Sequence, residues 1–473
     1  MDIEVLLKFG VLIIGFYMAW NIGANDVSNA MGTSVGSGAL TIRRAVILAA
    51  VFEFSGAFFV GSNVAETMQR GLIDTSLFLT DPMILVLGMC SALLGTSVWL
   101  QIASYFGWPV STTHAIVGAI LGFGALVGGI DAILWGEVFS IATSWVLSPF
   151  MSGIISYLIF NILQRKILYA MSPIDATRKF MPLLIAIVFG TFSLSLLLNG
   201  LENLHFQLHF ISVFGISLTV ALFAAALAFL YYRKMIPDRV ACSISVPSTN
   251  TILSLDKAMK HLQRVQVSTY NETHETVGKL VDQMQVLSTQ LRNETGFTAR
   301  TSDFQIVEKM FIFLQILSAC FVAFAHGAND VANAVGPIAA VLDILKNGSI
   351  SETTVVPSWI LTLGGLGIVI GLATWGWRVI ITIGKKITEL TPTRGFCAEF
   401  GAATTILVAS KLGLPVSTTH CLVGAVLGVG LAKGIRAINL NTLKEIVLSW
   451  VITIPMSALM SILIYYGLKS LIL

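Results

Sequence analysis

Long apolar stretches, separated by short polar ones, run through most of this chain. A helix needs about 20 mostly apolar residues to cross a bilayer, and twelve stretches come close to that length or exceed it. They lie near residues 5–24, 44–64, 82–106, 109–130, 137–163, 180–199, 210–232, 306–326, 357–384, 396–412, 415–433 and 445–472. The pattern predicts an all-α membrane protein with about twelve transmembrane segments.

Residues 235–305 interrupt this pattern, because they are polar and carry charges of both signs. Within them, apolar residues recur at alternating three- and four-residue spacing, which is typical of one face of an amphipathic helix. The stripe comprises Val277, Leu280, Met284, Leu287 and Leu291. We expect a helical insert on the cytoplasmic side, serving either as a regulatory element or as a passive connector.

Composition and charge support a multi-pass protein of the cell membrane. The 473 residues are 55% hydrophobic and 11% charged, whereas a soluble domain carries about a quarter charged residues. Lys and Arg favour cytoplasmic loops, and here they cluster after the first, fifth, seventh, ninth and eleventh segments. Both termini are therefore expected to face outside.

Two short cassettes occur twice and indicate an internal duplication. "GANDVSNAMG" at 23–32 returns as "GANDVANAVG" at 327–336, and "PVSTTH" at 109–114 returns at 415–420. The offsets are 304 and 306 residues, and seven segments precede the second copy. Because seven is odd, the second copy enters the membrane from the opposite face, as in transporters built from inverted repeats.

The repeats set the expected organisation of the chain. We expect transmembrane repeats at 1–168 and 306–473, linking segments at 169–234 and the insert at 235–305. Segments three and four, and ten and eleven, could each be re-entrant hairpins with interrupted helices. Substrate sites in such proteins lie near the midplane, where the repeats meet.

The P-V-S-T-T-H cassettes predict helix starts, because proline breaks the preceding helix and Ser or Thr suits an N-cap. Backbone N–H groups at a helix N-terminus carry partial positive charge, and hydroxyls beside them could complete a cradle for an anion. The simpler alternative is a pair of ordinary turns with capping hydroxyls. The candidate anion ligands are Ser111, Thr112, Thr113, Ser417, Thr418 and Thr419.

The G-A-N-D cassettes supply the opposite charge. A carboxylate inside a membrane segment is expensive and indicates function, and carboxylate and amide oxygens suit Na⁺. The flanking Gly23 and Gly327 would permit local unwinding of the helix. A polar helix-packing interface is the alternative. The candidate sodium ligands are Asn25, Asp26, Asn329 and Asp330.

Other isolated polar residues leave alternatives open. Glu53 and Glu399 each stand alone in an apolar segment, as a proton or cation site or as a buried neutral acid. His114 and His420 close the two S-T-T-H stretches and could cap, pack or touch a ligand. The five cysteines show no metal-binding or redox spacing, so no cofactor is expected.

The two duplicated cassettes, with "VGSGALTIRRAVILAAVFE" and "RGFCAEFGAA", resemble the inorganic phosphate transporter (PiT) family, which couples phosphate uptake to a cation gradient. The resemblance implies an inverted-repeat homodimer in which the six Ser/Thr residues bind phosphate and the four Asn/Asp residues bind cations. Glu53 and Glu399 match acidic positions needed for transport in the family. Members use Na⁺ or H⁺, and related proteins carry sulfate.

The sequence therefore predicts a phosphate symporter in the lipid bilayer, not an enzyme and with no nucleic-acid partner. Na⁺ is favoured over H⁺ because the paired cassettes offer many oxygen ligands. Phosphate is favoured over sulfate because at neutral pH it keeps a proton donor, which Asp26 or Asp330 could accept. An anion channel is an alternative. A hydrolase with Ser111 or Ser417 as nucleophile lacks an evident third catalytic group.

Overall fold

A computed structural model describes residues 3–70, 72–199, 209–235, 249–267, 272–294, 297–350, 356–377, 390–434 and 440–472. Within these ranges the chain forms helices and short connections. An isolated antiparallel bridge between Ile73 and Ile133 is the single β contact in this part of the chain. The predicted all-α class is confirmed.

The helices follow the apolar segments closely. Those of the first half are α1 (Ile3–Asn25), α2 (Val27–Gly36), α3 (Ile42–Val60), α4 (Ser62–Arg70), α5 (Pro82–Phe106), α6 (Thr112–Gly128), α7 (Trp135–Leu163), α8 (Pro173–Asn199) and α9 (Phe210–Met235). Those of the second half are α10 (Thr249–Val267), α11 (Glu272–Glu294), α12 (Phe297–Asp330), α13 (Ala332–Asn347), α14 (Ser358–Trp375), α15 (Pro392–Lys411), α16 (Thr418–Lys433) and α17 (Leu440–Ile472). Each of the twelve predicted segments overlaps one of these helices.

Many of these helices have the length and composition of membrane spans. Eight continuous helical stretches in the described ranges are long and apolar enough to cross a bilayer, and α3 with α4, bent by 65°, would make a ninth. Helices α6 and α16 are apolar but shorter, at 17 and 16 residues. Short helices of this kind fit the interrupted segments expected from the sequence.

Both G-A-N-D cassettes lie where one helix ends and the next begins. Helix α1 ends at Asn25 and α2 begins at Val27, while α12 ends at Asp330 and α13 begins at Ala332. The expected unwinding at the flanking glycines is wrong, because Gly23 and Gly327 lie inside α1 and α12. The boundaries between successive helices fall instead at Asp26 and Val331, whose backbone dihedral angles stay helical.

Close helix contact explains these glycines better than unwinding does. A Cβ atom added to Gly23 would lie 1.9 Å from the backbone O of Ile368 in α14, and one added to Gly327 would lie 2.1 Å from the backbone O of Glu53 in α3. No methyl group fits at such distances. The two glycines therefore let α1 approach α14, and α12 approach α3, at backbone contact.

The chain divides into two compact units. One comprises Met1–Asn161, Ala186–Leu222 and Phe311–Leu473, and the other comprises Ile162–Ile185 and Phe223–Met310. The first unit contains both cassettes of each kind. The second contains α10 and α11, so the residues of the predicted insert that the structure describes are mainly helical.

Helix α11 buries only part of the predicted stripe. Val277, Val281 and Ser288 are buried, whereas Leu280 and Leu287 are each 45% exposed. The side chain of Leu291 lies outside the described residues. Spacing alone missed this because α11 is apolar over a wide arc, and contact with α10 selects one edge of that arc.

Candidate functional site

The two S-T-T-H stretches start helices, as the prolines predict. Ser111 precedes α6, and its Oγ accepts a hydrogen bond of 3.2 Å from the backbone N–H of His114. Ser417 precedes α16 and accepts a bond of 3.3 Å from the N–H of His420. Both serines are buried N-caps, and each hydroxyl keeps its own proton to donate. We call residues 107–113 the first tip and residues 413–419 the second tip.

One carboxylate joins the two tips. Thr112 of the first tip donates its hydroxyl to Asp26 Oδ2 at 2.6 Å, and Thr419 of the second tip donates to Asp26 Oδ1 at 2.7 Å. Asp26 is 1% exposed. Because the tips are about 300 residues apart in the sequence, the folded chain gathers the predicted anion ligands around a predicted cation ligand.

Asp330 lies in the same cluster. Thr418 donates its hydroxyl to Asp330 Oδ2 at 2.9 Å, and Thr112 lies 3.4 Å from the same oxygen. The other oxygen, Oδ1, has no donor in the described part of the chain. Thr112 therefore stands between the carboxylates of Asp26 and Asp330.

The two cassette asparagines have matching partners. Asn25 donates its amide to the hydroxyl of Ser104 at 2.9 Å and to the backbone O of Trp108 at 3.1 Å. Asn329 makes the corresponding bonds, of 3.0 and 3.2 Å, to residues 306 positions further along, Ser410 and Leu414. Each amide thus ties the end of one helix, α1 or α12, to the base of a tip. This fixes where the side-chain oxygens point.

Asn333 is a site residue that the sequence did not assign. Its amide lies 3.3 Å from the hydroxyl oxygens of both Thr112 and Thr113. The hydroxyl of Thr113 also donates to the backbone O of Val416 at 3.1 Å, which links the first tip directly to the second. Its position in the sequence could have indicated this role, because Asn333 lies one helical turn beyond Asn329 and so on the same helix face. The side chain of Asn29, its counterpart, lies outside the described residues.

His326 is the second residue that sequence reasoning missed. Its Nδ1 lies 2.7 Å from Glu53 Oε2, and its Nε2 lies 3.0 Å from Asp330 Oδ2. All three side chains are at most 1% exposed. Glu53, predicted only as an acid associated with transport, thus connects to the central cluster through His326. The signal was again spacing, since residues four apart on a helix are neighbours.

Glu399 has a polar environment of its own. Its carboxylate accepts hydroxyl bonds from Thr33, Ser34 and Ser318 at 2.6, 2.7 and 2.5 Å, and Gln315 Nε2 lies 3.4 Å away. The residue is fully buried. These contacts lead to α2 and α12, so the two predicted acids have different surroundings.

The central cluster combines features that suit ions of both signs. Asp26, His326 and Asp330 can each offer one ligand atom, and these atoms lie within 4.8 Å of one another. Two buried carboxylates this close require compensating positive charge. Beside them stand the N-termini of α6 and α16 with their hydroxyls, which suit an oxyanion. The arrangement can hold an anion next to cations.

Membrane-length helices around a buried polar centre of this kind define a multi-pass membrane transport protein. The chain belongs to the phosphate transporter family, since the model of that family matches residues 22–461.

Two relatives and one solved structure support this assignment. The chain is 44% identical over 460 residues to the chloroplastic inorganic phosphate transporter 2-1 of Arabidopsis thaliana, covering 97% of this chain and 71% of the other. It is 45% identical over 465 residues to a candidate phosphate permease of Chlamydia pneumoniae, covering 98% of both chains. A solved sodium-dependent phosphate transporter matches with a TM-score of 0.80 and 34% identity, covering 98% of this chain and 99% of the other.

Proposed function

We propose that this chain is a secondary active symporter that takes up inorganic phosphate together with Na⁺ by alternating access. The observation that carries the proposal is the arrangement of Thr112 and Thr419, which donate to Asp26 from the two tips at 2.6 and 2.7 Å. The ligands proposed for an anion and for a cation are in direct contact. Binding of an ion at one site therefore changes the affinity of the other site.

The coupling follows from charge. A bound phosphate would take the hydroxyl donors of both tips, leaving Asp26 and Asp330 without them. A buried carboxylate that has lost its donors is strongly destabilised unless a cation neutralises it. Phosphate and cation would therefore bind together, whereas the half-loaded centre would be unfavourable. That difference is the requirement for symport.

Sodium suits the oxygens of the cassettes. Asn329 Oδ1 and Asp330 Oδ1 have no donor among the residues that the structure describes, and hard oxygen atoms of this type coordinate Na⁺ at transporter midplanes. We assign the cation to Asn25, Asp26, Asn329 and Asp330. The neighbour named as a sodium-dependent phosphate transporter supports this choice.

Phosphate would be held by six residues of the two tips: Ser111, Thr112, Thr113, Ser417, Thr418 and Thr419. We extend this set to Asn333, which contacts two of those hydroxyls. An aspartate of the centre would accept the proton that phosphate still carries at neutral pH, which sulfate lacks.

We also propose that the chain forms two inverted repeats with about twelve segments, both termini outside and re-entrant tips. Matched contacts support the repeats. A Cβ added to Gly56 would lie 2.0 Å from the backbone O of Phe324, and one added to Gly371 would lie 1.9 Å from that of Trp20. These two contacts pair α3 with α12 and α14 with α1. The homodimer and the location in the cell membrane stay predictions from the sequence.

Proton coupling is the second candidate, favoured by one observation. His326 bridges Glu53 and Asp330 at 2.7 and 3.0 Å, and a histidine between two carboxylates can accept and release a proton. In that case H⁺, and not Na⁺, would neutralise the centre.

Uptake of radiolabelled phosphate into proteoliposomes tests the proposal. We would apply an inward Na⁺ gradient, an inward H⁺ gradient or neither, with excess unlabelled sulfate in parallel. Accumulation that needs Na⁺ and resists sulfate is expected. Dependence on H⁺ alone would select the second candidate, and competition by sulfate would change the substrate. Equal flux in all conditions would indicate a channel and remove the cation assignment.

Asp330→Asn is the informative variant in this assay, because it keeps the size of the side chain and removes its charge. We expect it to lose Na⁺-driven accumulation. Asp74→Asn is the matched control. Asp74 is an N-cap that accepts from the backbone N–H of Ser76 at an exposed site, so accumulation should persist.

A further inference from the structure

The two Asn-Asp cassettes differ in the residue one helical turn before the aspartate. In the second cassette this residue is His326, four positions before Asp330. In the first it is Ile22, four positions before Asp26. Both residues are fully or almost fully buried. The aspartates therefore have different neighbours although the cassettes match.

Glu53, which contacts His326, is also replaced by an apolar residue at the matching place of the other copy. Gly327 packs against the backbone O of Glu53, and its counterpart Gly23 packs against the backbone O of Ile368. Ile368 thus holds the place in α14 that Glu53 holds in α3. In the first copy both positions are apolar, Ile22 and Ile368. In the second copy both are polar, and His326 and Glu53 are in contact at 2.7 Å. A change of both members together indicates that Glu53 and His326 act as a unit.

We propose that Glu53 and His326 are positioning residues for Asp330, and that Glu53 acts on the cation through the imidazole ring. Glu53 fixes the ring by its Nδ1 at 2.7 Å, and Nε2 faces Asp330 Oδ2 at 3.0 Å as an ion-pair contact and not as an aligned hydrogen bond. This leaves Asp330 Oδ1, which has no donor in the described ranges, directed to the ion. The inference rests on the proposed role of Asp330 as a cation ligand.

The physical basis is that residues which do not bind the ion themselves can hold an ion ligand in its binding orientation. A carboxylate that orients a histidine, which in turn orients a ligand, restricts the ligand to one geometry, and removing such support typically lowers cation affinity about 10- to 100-fold. In the first cassette Ile22 and Ile368 take the places of His326 and Glu53, and Asp26 accepts instead from Thr112 and Thr419. The two aspartates are therefore held by different kinds of neighbour, and the Glu53–His326 pair pre-organises the cation site from the side of Asp330.

A double-mutant cycle tests the chain of contacts. Glu53→Gln, His326→Gln and the double variant are compared with the wild type for half-saturation by Na⁺ in phosphate uptake. Binding of radiolabelled Na⁺ to purified protein gives the same cycle for any variant that does not transport. Each single change should weaken Na⁺ binding about 10-fold or more. The double variant should bind Na⁺ no more weakly than His326→Gln does, because Glu53 acts on Asp330 only through the ring.

Multiplying effects of the two changes would overturn the inference, because they would mean that Glu53 binds a cation independently, for example by its Oε1. Unchanged Na⁺ binding in His326→Gln would overturn it as well. Glu399→Gln is the matched control: its contacts do not include His326, so its effect should multiply with that of His326→Gln.

Two further readouts separate positioning from general damage. Glu53→Asp, which keeps the carboxylate, should recover part of the Na⁺ affinity, and the KM for phosphate at saturating Na⁺ should change less than the Na⁺ half-saturation. A wild type with no Na⁺-driven uptake would instead contradict the proposed function itself. The two failures are therefore distinguishable.

Discussion

The rings of His114 and His420 contact each other with centroids 4.4 Å apart, although each residue directly follows a different tip and the two are some 300 positions apart. His420 also stacks on Trp450 at 3.5 Å, and His114 meets Trp145 at 3.9 Å. The hydroxyl contacts of the tips lie one or two residues earlier, at Thr112, Thr113 and their counterparts. Of the roles left open by the sequence, packing between the tips is the one that these contacts favour.

His420→Phe should therefore preserve transport. Phenylalanine keeps an aromatic ring between His114 and Trp450. It removes only the 3.5 Å contact of His420 Nδ1 with the backbone O of Trp145, since His420 Nε2 has no partner in the described structure. His420→Arg should abolish transport, because it places a fixed charge in a buried aromatic cluster. The KM for phosphate measures the effect on transport, and the elution of the purified variants in size-exclusion chromatography shows whether they are folded. A much higher KM in well-folded His420→Phe would make the histidine a phosphate contact instead.

Thr112 should matter more for phosphate than Thr113. Thr112 contacts both central carboxylates, at 2.6 and 3.4 Å, whereas Thr113 donates to the backbone O of Val416. By the proposed mechanism the Thr112 hydroxyl leaves Asp26 for the charged phosphate, and a hydrogen bond to a charged group contributes about 1.5–3 kcal/mol. The bond of Thr113 to a neutral carbonyl contributes about 1 kcal/mol. We expect Thr112→Val to raise the phosphate KM about 10- to 100-fold, and Thr113→Val to raise it less.

Initial rates of phosphate uptake at saturating Na⁺ would measure this difference, and valine is the matched replacement because it keeps the shape of threonine. The opposite order, with Thr113→Val the more damaging, would mean that phosphate draws the Thr113 hydroxyl away from Val416. The anion would then be centred deeper in α6 than the contacts of Asp26 indicate.

The sequence predicted much of the centre because its chemistry is local. Proline followed by serine specifies a helix start, and Ser111 and Ser417 are N-caps as that rule requires. Because the cassette is duplicated, one argument predicted both Asp26 and Asp330 as site residues. The helical class followed from segment length alone, since only helices and closed barrels satisfy their backbone groups in lipid.

What the sequence could not supply were contacts between distant elements. His326 and Glu53 are 273 positions apart, and nothing in either segment indicates that they meet. The role of Gly23 was misjudged for the same reason, because its constraint comes from the backbone of Ile368 in another helix. The unequal surroundings of the two cassettes likewise depend on which helices cross.

Gly327→Ala should disrupt the packing of α12 on α3. The new methyl group would lie 2.1 Å from the backbone O of Glu53, and overpacking of this kind costs about 1–3 kcal/mol. We expect a lower melting temperature and weaker Na⁺-dependent uptake, since the shift also moves Glu53 away from His326. Gly10→Ala is the control, because no neighbouring element of the described chain lies within 4 Å of its added Cβ. Equal stability of the two variants would show that α12 has room to move at this crossing.

The two faces of α11 provide a last test, in the second compact unit. Val281 is 6% exposed and Leu280 is 45% exposed, although they are neighbours on one helix. An aspartate at a buried position loses its hydration without gaining a partner, whereas at a half-exposed position it stays in contact with water. Val281→Asp should therefore separate α11 from α10, and Leu280→Asp should not.

Hydrogen exchange of the full-length protein would detect this separation as faster exchange along α10 and α11 in Val281→Asp alone. Loss of protection in Leu280→Asp instead would mean that the stripe expected from spacing, and not the buried edge, holds the helices together. Phosphate uptake by Val281→Asp then shows what the insert does. Unchanged uptake would identify a connector, and altered uptake with intact exchange in the first unit would identify a regulatory element.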